Sequence, residues 1–248
     1  MKVPEFRHVE LGDVTSTNAE CMERARAGDP GGLWITAARQ TGGRGRRGRA
    51  WVSEPGNLYA SLLLTDPAPW DAMASFPLAV TLAVHDAVAA VLPGDADGLR
   101  IKWPNDLLLD GGKTAGILIE AEPLSDGSKA VVIGCGVNVA HRPDAGLYKT
   151  TCLSEHGSAA TPQDLFARLV VSMDRTLAKW NQGRGLTGIR DAWLNRADGL
   201  GKPVTVNLPG CQIHGLFDGI DRDGRLVLET ADGEKHMIAS GDVFFTET

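Results

Sequence analysis

The sequence predicts an α+β fold in two parts: a larger unit in which helices alternate with apolar strands, and a small β-barrel at the C-terminal end. Three observations lead there. Compact apolar runs of strand length, such as Leu33–Ala38 and Asn57–Leu64, lie among longer stretches with helical spacing. A chain of 248 residues, 43% apolar and 23% charged, is ordinary for a globular protein and long enough for two cores. Near Gly201 the pattern changes to short alternating segments separated by Asp223-Gly224 and Asp232-Gly233. The chain therefore divides into residues 1–198 and 199–248.

In chain order, Arg7–Leu11 reads as a short strand. Ser16-Thr17-Asn18 opens a helix to about Ala27, with side chains suited to capping its first N–H groups. Leu33–Ala38 and Asn57–Leu64 are buried strands on either side of the glycine–arginine loop Arg39–Arg49. Ser75–Leu92 is apolar enough for a buried helix, and too short and too interrupted by His85-Asp86 to span a bilayer. Arg100–Trp103 leads through the turn Pro104-Asn105 into a hairpin around Asp110-Gly111-Gly112, with arms Leu107–Leu109 and Ala115–Glu122. Ala130–Val139 is a buried strand whose glycines admit another group close to the backbone. Pro162–Asn181 has the clearest amphipathic spacing, and the tail after Lys202 carries about five short barrel strands.

Composition excludes several classes. The net charge of −6 argues against a general nucleic-acid binder, which needs a basic surface. The first residues lack the apolar run of a signal peptide. Cys21, Cys135, Cys152 and Cys211 are too scattered for a zinc site and read as free thiols in a reducing, cytoplasmic setting.

Three segments carry chemistry. Arg39–Trp51 holds five arginines and no acid inside an acidic chain. An arginine cluster is by default a solvated loop. Here interspersed glycines let the backbone wrap an anion while guanidinium groups converge on it. Gly43–Gly48 formally matches G-x-G-x-x-G, but turn and strand follow it where a dinucleotide site needs a helix. The second segment is Lys102-Trp103-Pro104-Asn105-Asp106, with Lys113 across the same hairpin. The third is Gly134-Cys135-Gly136-Val137-Asn138, which delivers an amide at a strand end.

In this order and spacing the segments closely resemble the biotin–protein ligases, from about Thr15 to the C-terminus. The residues that carry the resemblance are Ser16-Thr17-Asn18, Gln40-Thr41, Gly43–Arg49 with Trp51, Lys102–Asp106, Lys113-Thr114-Ala115-Gly116 and Gly134–Asn138. The resemblance implies a mixed β-sheet flanked by helices, of the class II aminoacyl-tRNA synthetase and biotin ligase type, with a small C-terminal SH3-like β-barrel. It also implies activation of biotin by ATP and Mg²⁺, then transfer to a lysine of a biotin carboxyl carrier domain. Lys113 would be the catalytic residue, with Arg46 and Asp106. Biotin would be bound by Ser16, Thr17, Asn18, Gln40, Gly43, Arg44, Arg46, Lys113 and Gly116. ATP would be bound by Arg44, Arg46, Trp51, Lys102, Asn105, Lys113 and Asn138, and no metal ligands are assigned, Mg²⁺ arriving with ATP.

About 14 residues precede Thr15, too few for the DNA-binding domain of the family's repressors, so the expectation is an enzyme that binds neither nucleic acid nor membrane. Some members dimerise through the main sheet, which leaves a homodimer open here. Gly42 after Thr41 and Ala50 before Trp51 depart from the pattern, loosening the loop entrance and removing a basic residue. The alternatives are a lipoate–protein ligase, which shares the fold and chemistry, and a non-catalytic nucleic-acid-binding module.

Overall fold

The computed structural model describes residues 6–143 and 149–245, so the outer ends of the predicted 1–198 and 199–248 units lie outside it. The strands of the larger unit are β1 (Arg7–Val14), β2 (Leu33–Gln40), β3 (Leu58–Thr65), β4 (Leu99–Lys102), β5 (Asp106–Leu109), β6 (Gly112–Pro123) and β7 (Lys129–Val137). They form one seven-stranded sheet in the order β1-β2-β3-β7-β6-β5-β4. β1 and β2 run parallel and the remaining neighbours antiparallel, which makes the sheet mixed, as expected. The hairpin turn between β5 and β6 is Asp110-Gly111, with φ of 47° and 75°, the positive values a two-residue turn requires.

Alternation along the strands assigns the two faces. Leu62, Leu64, Ile117, Val131, Ile133 and Val137 face a large core covered by α2 (Phe76–Ala89), α3 (Pro162–Trp180) and α4 (Leu186–Leu194). The opposite face carries Leu33, Ile35, Leu63, Ala130 and Val132, covered by Cys21 and Ala25 of α1 (Thr17–Arg26). A single ten-residue helix covers only part of that face, and the uncovered part lies over β6 and β7.

Two helical expectations need correction. Ser16 is the N-cap of α1, but its hydroxyl makes no capping hydrogen bond; the Thr17 N–H is held instead by Gln40 Oε1 at 2.9 Å. The apolar segment that includes α2 extends through a preceding 3-10 turn to Ala72–Ala89, long and apolar enough to cross a membrane, yet 67% of it is buried in the core. α4 was not anticipated, because LTGIRDAWL buries only Ile189 and Trp193, with Leu186, Ala192 and Leu194 partly buried against the core.

β8 (Pro203–Leu208), β9 (Cys211–Ile220), β10 (Leu226–Glu229), β11 (Lys235–Ile238) and β12 (Asp242–Phe245) form an antiparallel five-stranded sheet in the order β11-β10-β9-β8-β12. Val204, Val206, Phe217, Ile220, Leu226, Leu228 and Val243 join the large core, so the two units share buried surface. Trp103, buried at the corner before β5, donates from Nε1 to the Gly224 carbonyl at 3.4 Å.

Candidate active site

The uncovered sheet face over β6 and β7 floors a cavity of about 310 Å³. Its floor positions are glycines, because side chains from elsewhere occupy the space above them. A Cβ on Gly134 would collide with the Asn18 amide. Cβ atoms on Gly116 and Gly136 would stand 2.9 Å and 2.6 Å from the Trp51 indole. The resemblance puts Gly116 among the biotin-binding residues; its bareness makes room for Trp51.

At the inner end, the start of α1 meets the end of β2 and the middle of β3. Gln40 Oε1 accepts from the Thr17 N–H, and Gln40 Nε2 donates to Ser53 Oγ at 3.0 Å. Ser61, wholly buried on β3, lies 2.7 Å from Thr17 Oγ1 and 2.6 Å from Asn18 Oδ1. Asn18 Nδ2 donates to Glu120 on β6 at 2.7 Å. Ser16, Thr17, Asn18 and Gln40 all line the cavity. Gly43 stands just behind it, where a Cβ would be 2.6 Å from Ser53 Oγ.

The glycine–arginine segment forms a tight loop. Gly43 O accepts from Trp51 N at 2.9 Å, and Gly45 N donates to Arg49 O at 2.7 Å. Arg46–Gly48 is a three-residue 3-10 turn, so the formal G-x-G-x-x-G match opens no helix. Each arginine that lines the cavity has an anchor. Arg44 reaches Glu120 at 3.0 Å, and Arg46 Nη1 donates to Asn105 Oδ1 at 3.0 Å. Arg47 and Arg49 both reach Asp242, at 2.7 Å and 2.5 Å. Burial lowers the pKa of the half-buried Arg46, against the opposing charges of Asp106 and Asp242.

Lys113 reaches the cavity through a register shift. β5 pairs Leu107 with Ala115 but Leu108 with Lys113, leaving Thr114 as the extra residue. Without that bulge, Lys113 would share the core face with Ala115 and Ile117. With it, Lys113 Cε comes within 3.4 Å of the Gly116 Cβ position. Its Nζ lies 2.8 Å from Asp106 Oδ2 and 5.5 Å from the Trp51 ring centre. The Lys113 backbone bonds to the 149–151 segment on both sides, from its N–H to Lys149 O at 2.8 Å and from Thr151 N to its carbonyl at 3.1 Å.

Asn105 is buried, with Nδ2 donating to the Ile117 carbonyl. Asn138 lines the cavity and donates from Nδ2 to Thr151 O at 3.0 Å. Lys102 does not line it: its ammonium sits 5.5 Å from the Phe244 ring, and burial lowers its pKa, reinforced by Lys113 and opposed by Asp106 and Asp242. Cys135 lines the floor, but burial pushes its thiol up to about 12, so it is no nucleophile near neutral pH. Among the described residues no group of three or more His, Cys, Asp or Glu side chains converges. Among the described residues, Asp106 and Asp242 are the carboxylates that line the cavity, a sparse donor set that suits a Mg²⁺ held chiefly by phosphate oxygens and water.

The family model for biotin/lipoate A/B protein ligases matches residues 11–138, and the model for the biotin protein ligase C-terminal domain matches residues 199–246. The chain belongs to the biotin/lipoate A/B protein ligase family. Within it, the chain is similar to a biotin–[acetyl-CoA-carboxylase] ligase of Paracoccus denitrificans, 39% identical over 95% of this chain and 99% of the relative. A ligase of the same name from Mycobacterium tuberculosis is 35% identical, over 94% of this chain and 86% of the relative. Among solved structures, a biotin protein ligase from Aquifex aeolicus in complex with biotin and ATP shares the fold, with a TM-score of 0.82 and 24% identity over 97% of this chain and 99% of that one.

Against this family background the sequence reading missed Ser61, Glu120, Asp242 and Asn57. Asn57 Oδ1 accepts from the N–H groups of Val139, Ala140 and His141 at 2.8, 3.0 and 3.1 Å, fixing the chain after Asn138. Asp242 lies in the C-terminal unit, and its partners Arg47 and Arg49 are far away in sequence.

Proposed function

We propose that the chain is a biotin–protein ligase that joins biotin to AMP and passes the biotinyl group to a lysine of a biotin carboxyl carrier domain. The observation that carries this reading is the convergence of Lys113, Arg44 and Arg46 on one cavity whose inner end is the Thr17–Ser61–Asn18–Gln40 cluster. The names of the Paracoccus and Mycobacterium relatives point to the same reaction.

In the first step a biotin carboxylate oxygen attacks the α-phosphorus of ATP, and the bond to the β-phosphate oxygen breaks to release pyrophosphate. The carboxylate is already ionised at neutral pH, so no general base is needed. The barrier lies in bringing anions together, which aligned cations lower. Lys113 binds the carboxylate and the α-phosphate, while Arg44 and Arg46 close over the adenylate. Mg²⁺ adds positive charge on the phosphates when bound, with Asp106 or Asp242 as the residues able to reach it. Trp51 offers adenine a flat surface, Asn138 its polar edge, and Asn105 acts through the Arg46 guanidinium it holds. Lys102, behind Asp106, adds charge without lining the cavity.

In the second step a protein lysine attacks the anhydride carbonyl and must first lose a proton, since a free lysine titrates near about 10.4. Asp106, 2.8 Å from Lys113, orients that amine or takes its proton. The reaction belongs in the cytoplasm and involves no nucleic acid or membrane. A homodimer, where formed, would use β1 or β4, the edge strands of the main sheet.

The test is direct. With biotin, ATP, Mg²⁺ and a biotin carboxyl carrier domain, the protein should add one biotinyl mass to the acceptor lysine. Modification with lipoate instead, or none with either acid, would overturn the reading.

A further inference from the structure

The β7 ladder along β6 starts at Ala115, opposite Val137, so Lys113 lies beyond its end. There the 149–151 segment takes the place of β7. Thr150 is bridged in parallel to Lys113, whose N–H donates to Lys149 O at 2.8 Å and whose carbonyl accepts from Thr151 N at 3.1 Å. On the opposite edge the ladder to β5 shifts register at the same point. The Lys113 backbone is thus set by three residues that belong to none of the named strands.

Those three residues are held in turn by side chains. Asn138 Nδ2 donates to Thr151 O at 3.0 Å, and Thr150 Oγ1 donates to Pro143 O at 2.8 Å. Lys149 Nζ donates to Asp110 O, in the hairpin turn that leads to Lys113, at 3.0 Å. Thr151 is buried and packs over Gly112, where an added Cβ would stand 3.0 Å from Thr151 Cβ. Its hydroxyl donates to Glu155 Oε2 at 2.8 Å and lies 2.9 Å from His156 Nε2. His156 Nδ1 stands 3.0 Å from Asp110 Oδ2, and Glu155 is itself held by Arg142 at 2.8 Å. A closed frame results, running from Lys113 through Thr151 and His156 to Asp110 and back along the hairpin.

Resting on the biotin reading above, we propose that Thr151 is a positioning residue for Lys113: its hydroxyl, held by Glu155 and His156, fixes the segment that carries the Lys113 backbone and so keeps Nζ aimed at the reacting carboxylate and phosphate. Lys113 lines the cavity and Thr151 does not, so the effect passes through the backbone and not through a ligand contact. A residue inside a regular ladder has its place set by both neighbours. A residue beside a bulge lacks that support, because the ladder is locally disrupted there. Displacing a reacting group by about 1 Å costs up to about a hundredfold in rate, so the loss falls on turnover and not on binding.

Two substitutions separate the hydroxyl from the packing. Thr151→Val replaces the hydroxyl with a methyl of similar size, and Thr151→Ser keeps the hydroxyl. Biotin-dependent pyrophosphate exchange, with biotin and ATP varied in turn, distinguishes turnover from binding. The maximal rate should fall about tenfold or more in Thr151→Val and stay within about threefold of wild type in Thr151→Ser, with both KM values within about threefold throughout. A higher KM at an unchanged maximal rate would place the segment in substrate binding and overturn the proposal. Equal losses in both variants would trace the effect to packing over Gly112 and overturn it too. Full exchange in wild type and Thr151→Val alike would overturn this proposal alone, whereas wild type without biotin-dependent exchange would sink the underlying reading with it. If Thr151→Val does not fold, His156→Ala opens the frame from its outer side. It should lower the maximal rate about fivefold at unchanged KM, and an undiminished rate would contradict the proposal.

Discussion

A Cβ on Gly136 would stand 2.6 Å from Nε1 of Trp51, so the indole rests where any other residue would project a side chain. The bare strand is a seat for the aromatic surface proposed to hold adenine. Gly136→Ala should lift the indole and raise the KM for ATP about tenfold, with the KM for biotin changing less than about threefold, because overpacking acts on the group it touches. Steady-state kinetics with each substrate varied in turn checks this. Equal effects on both substrates would mean that the cavity as a whole had shifted.

Asp106 and Lys113 form an ion pair at 2.8 Å, yet the two steps ask different things of them. Biotin adenylation depends on positive charge at Lys113, and transfer depends on an acceptor for the incoming lysine's proton. Asp106→Asn should slow transfer from preformed biotinyl-adenylate by about a hundredfold, the usual scale of a lost general base. Its effect on pyrophosphate exchange should be much smaller. Unchanged transfer would remove Asp106 from the second step.

Asp242 ties the C-terminal unit to the arginine loop through Arg47 and Arg49. Burial raises its carboxyl, but the hydrogen bond from Arg49 and the charges of Arg49, Arg47 and Arg46 outweigh burial and hold it below the usual range. A carboxylate lowered on folding stabilises the fold above the unfolded value of about 3.9, and the contribution fades as pH falls through the folded value. Asp242→Asn should therefore cost about 1 kcal/mol near neutral pH, since Arg47 and Arg49 are 35% and 39% exposed and partly screened. The difference should shrink below about pH 4. Thermal melts of both proteins from acid to neutral pH measure it.

What the sequence disclosed followed physical range. Leu33–Ala38, Asn57–Leu64 and Pro162–Asn181 were legible because burial writes a local period into the chain, and the five C-terminal strands were legible from their turns. Lys113, Arg44, Arg46 and Trp51, which line the cavity, stood out through motifs that resemble those of the biotin–protein ligases. The reason Lys113 reaches the cavity was not, because it depends on a one-residue register shift at Thr114. Glu120 fell inside the strand arm Ala115–Glu122 with no signal of its own, because its partners Asn18 and Arg44 lie far away in sequence. Asp242 gained its role only when the C-terminal sheet met the loop. Short helix α4 escaped because nine residues with two buried side chains show no stripe.

The central claim is that Lys113 serves the adenylation of biotin, and biotin-dependent exchange of labelled pyrophosphate into ATP tests it most directly. Exchange should occur with biotin and not with lipoate, and should fall by about a thousandfold in Lys113→Ala, the scale expected when a preorganised charge on the transferring group is removed. Exchange that proceeds undiminished in Lys113→Ala, or that requires lipoate, would contradict the account.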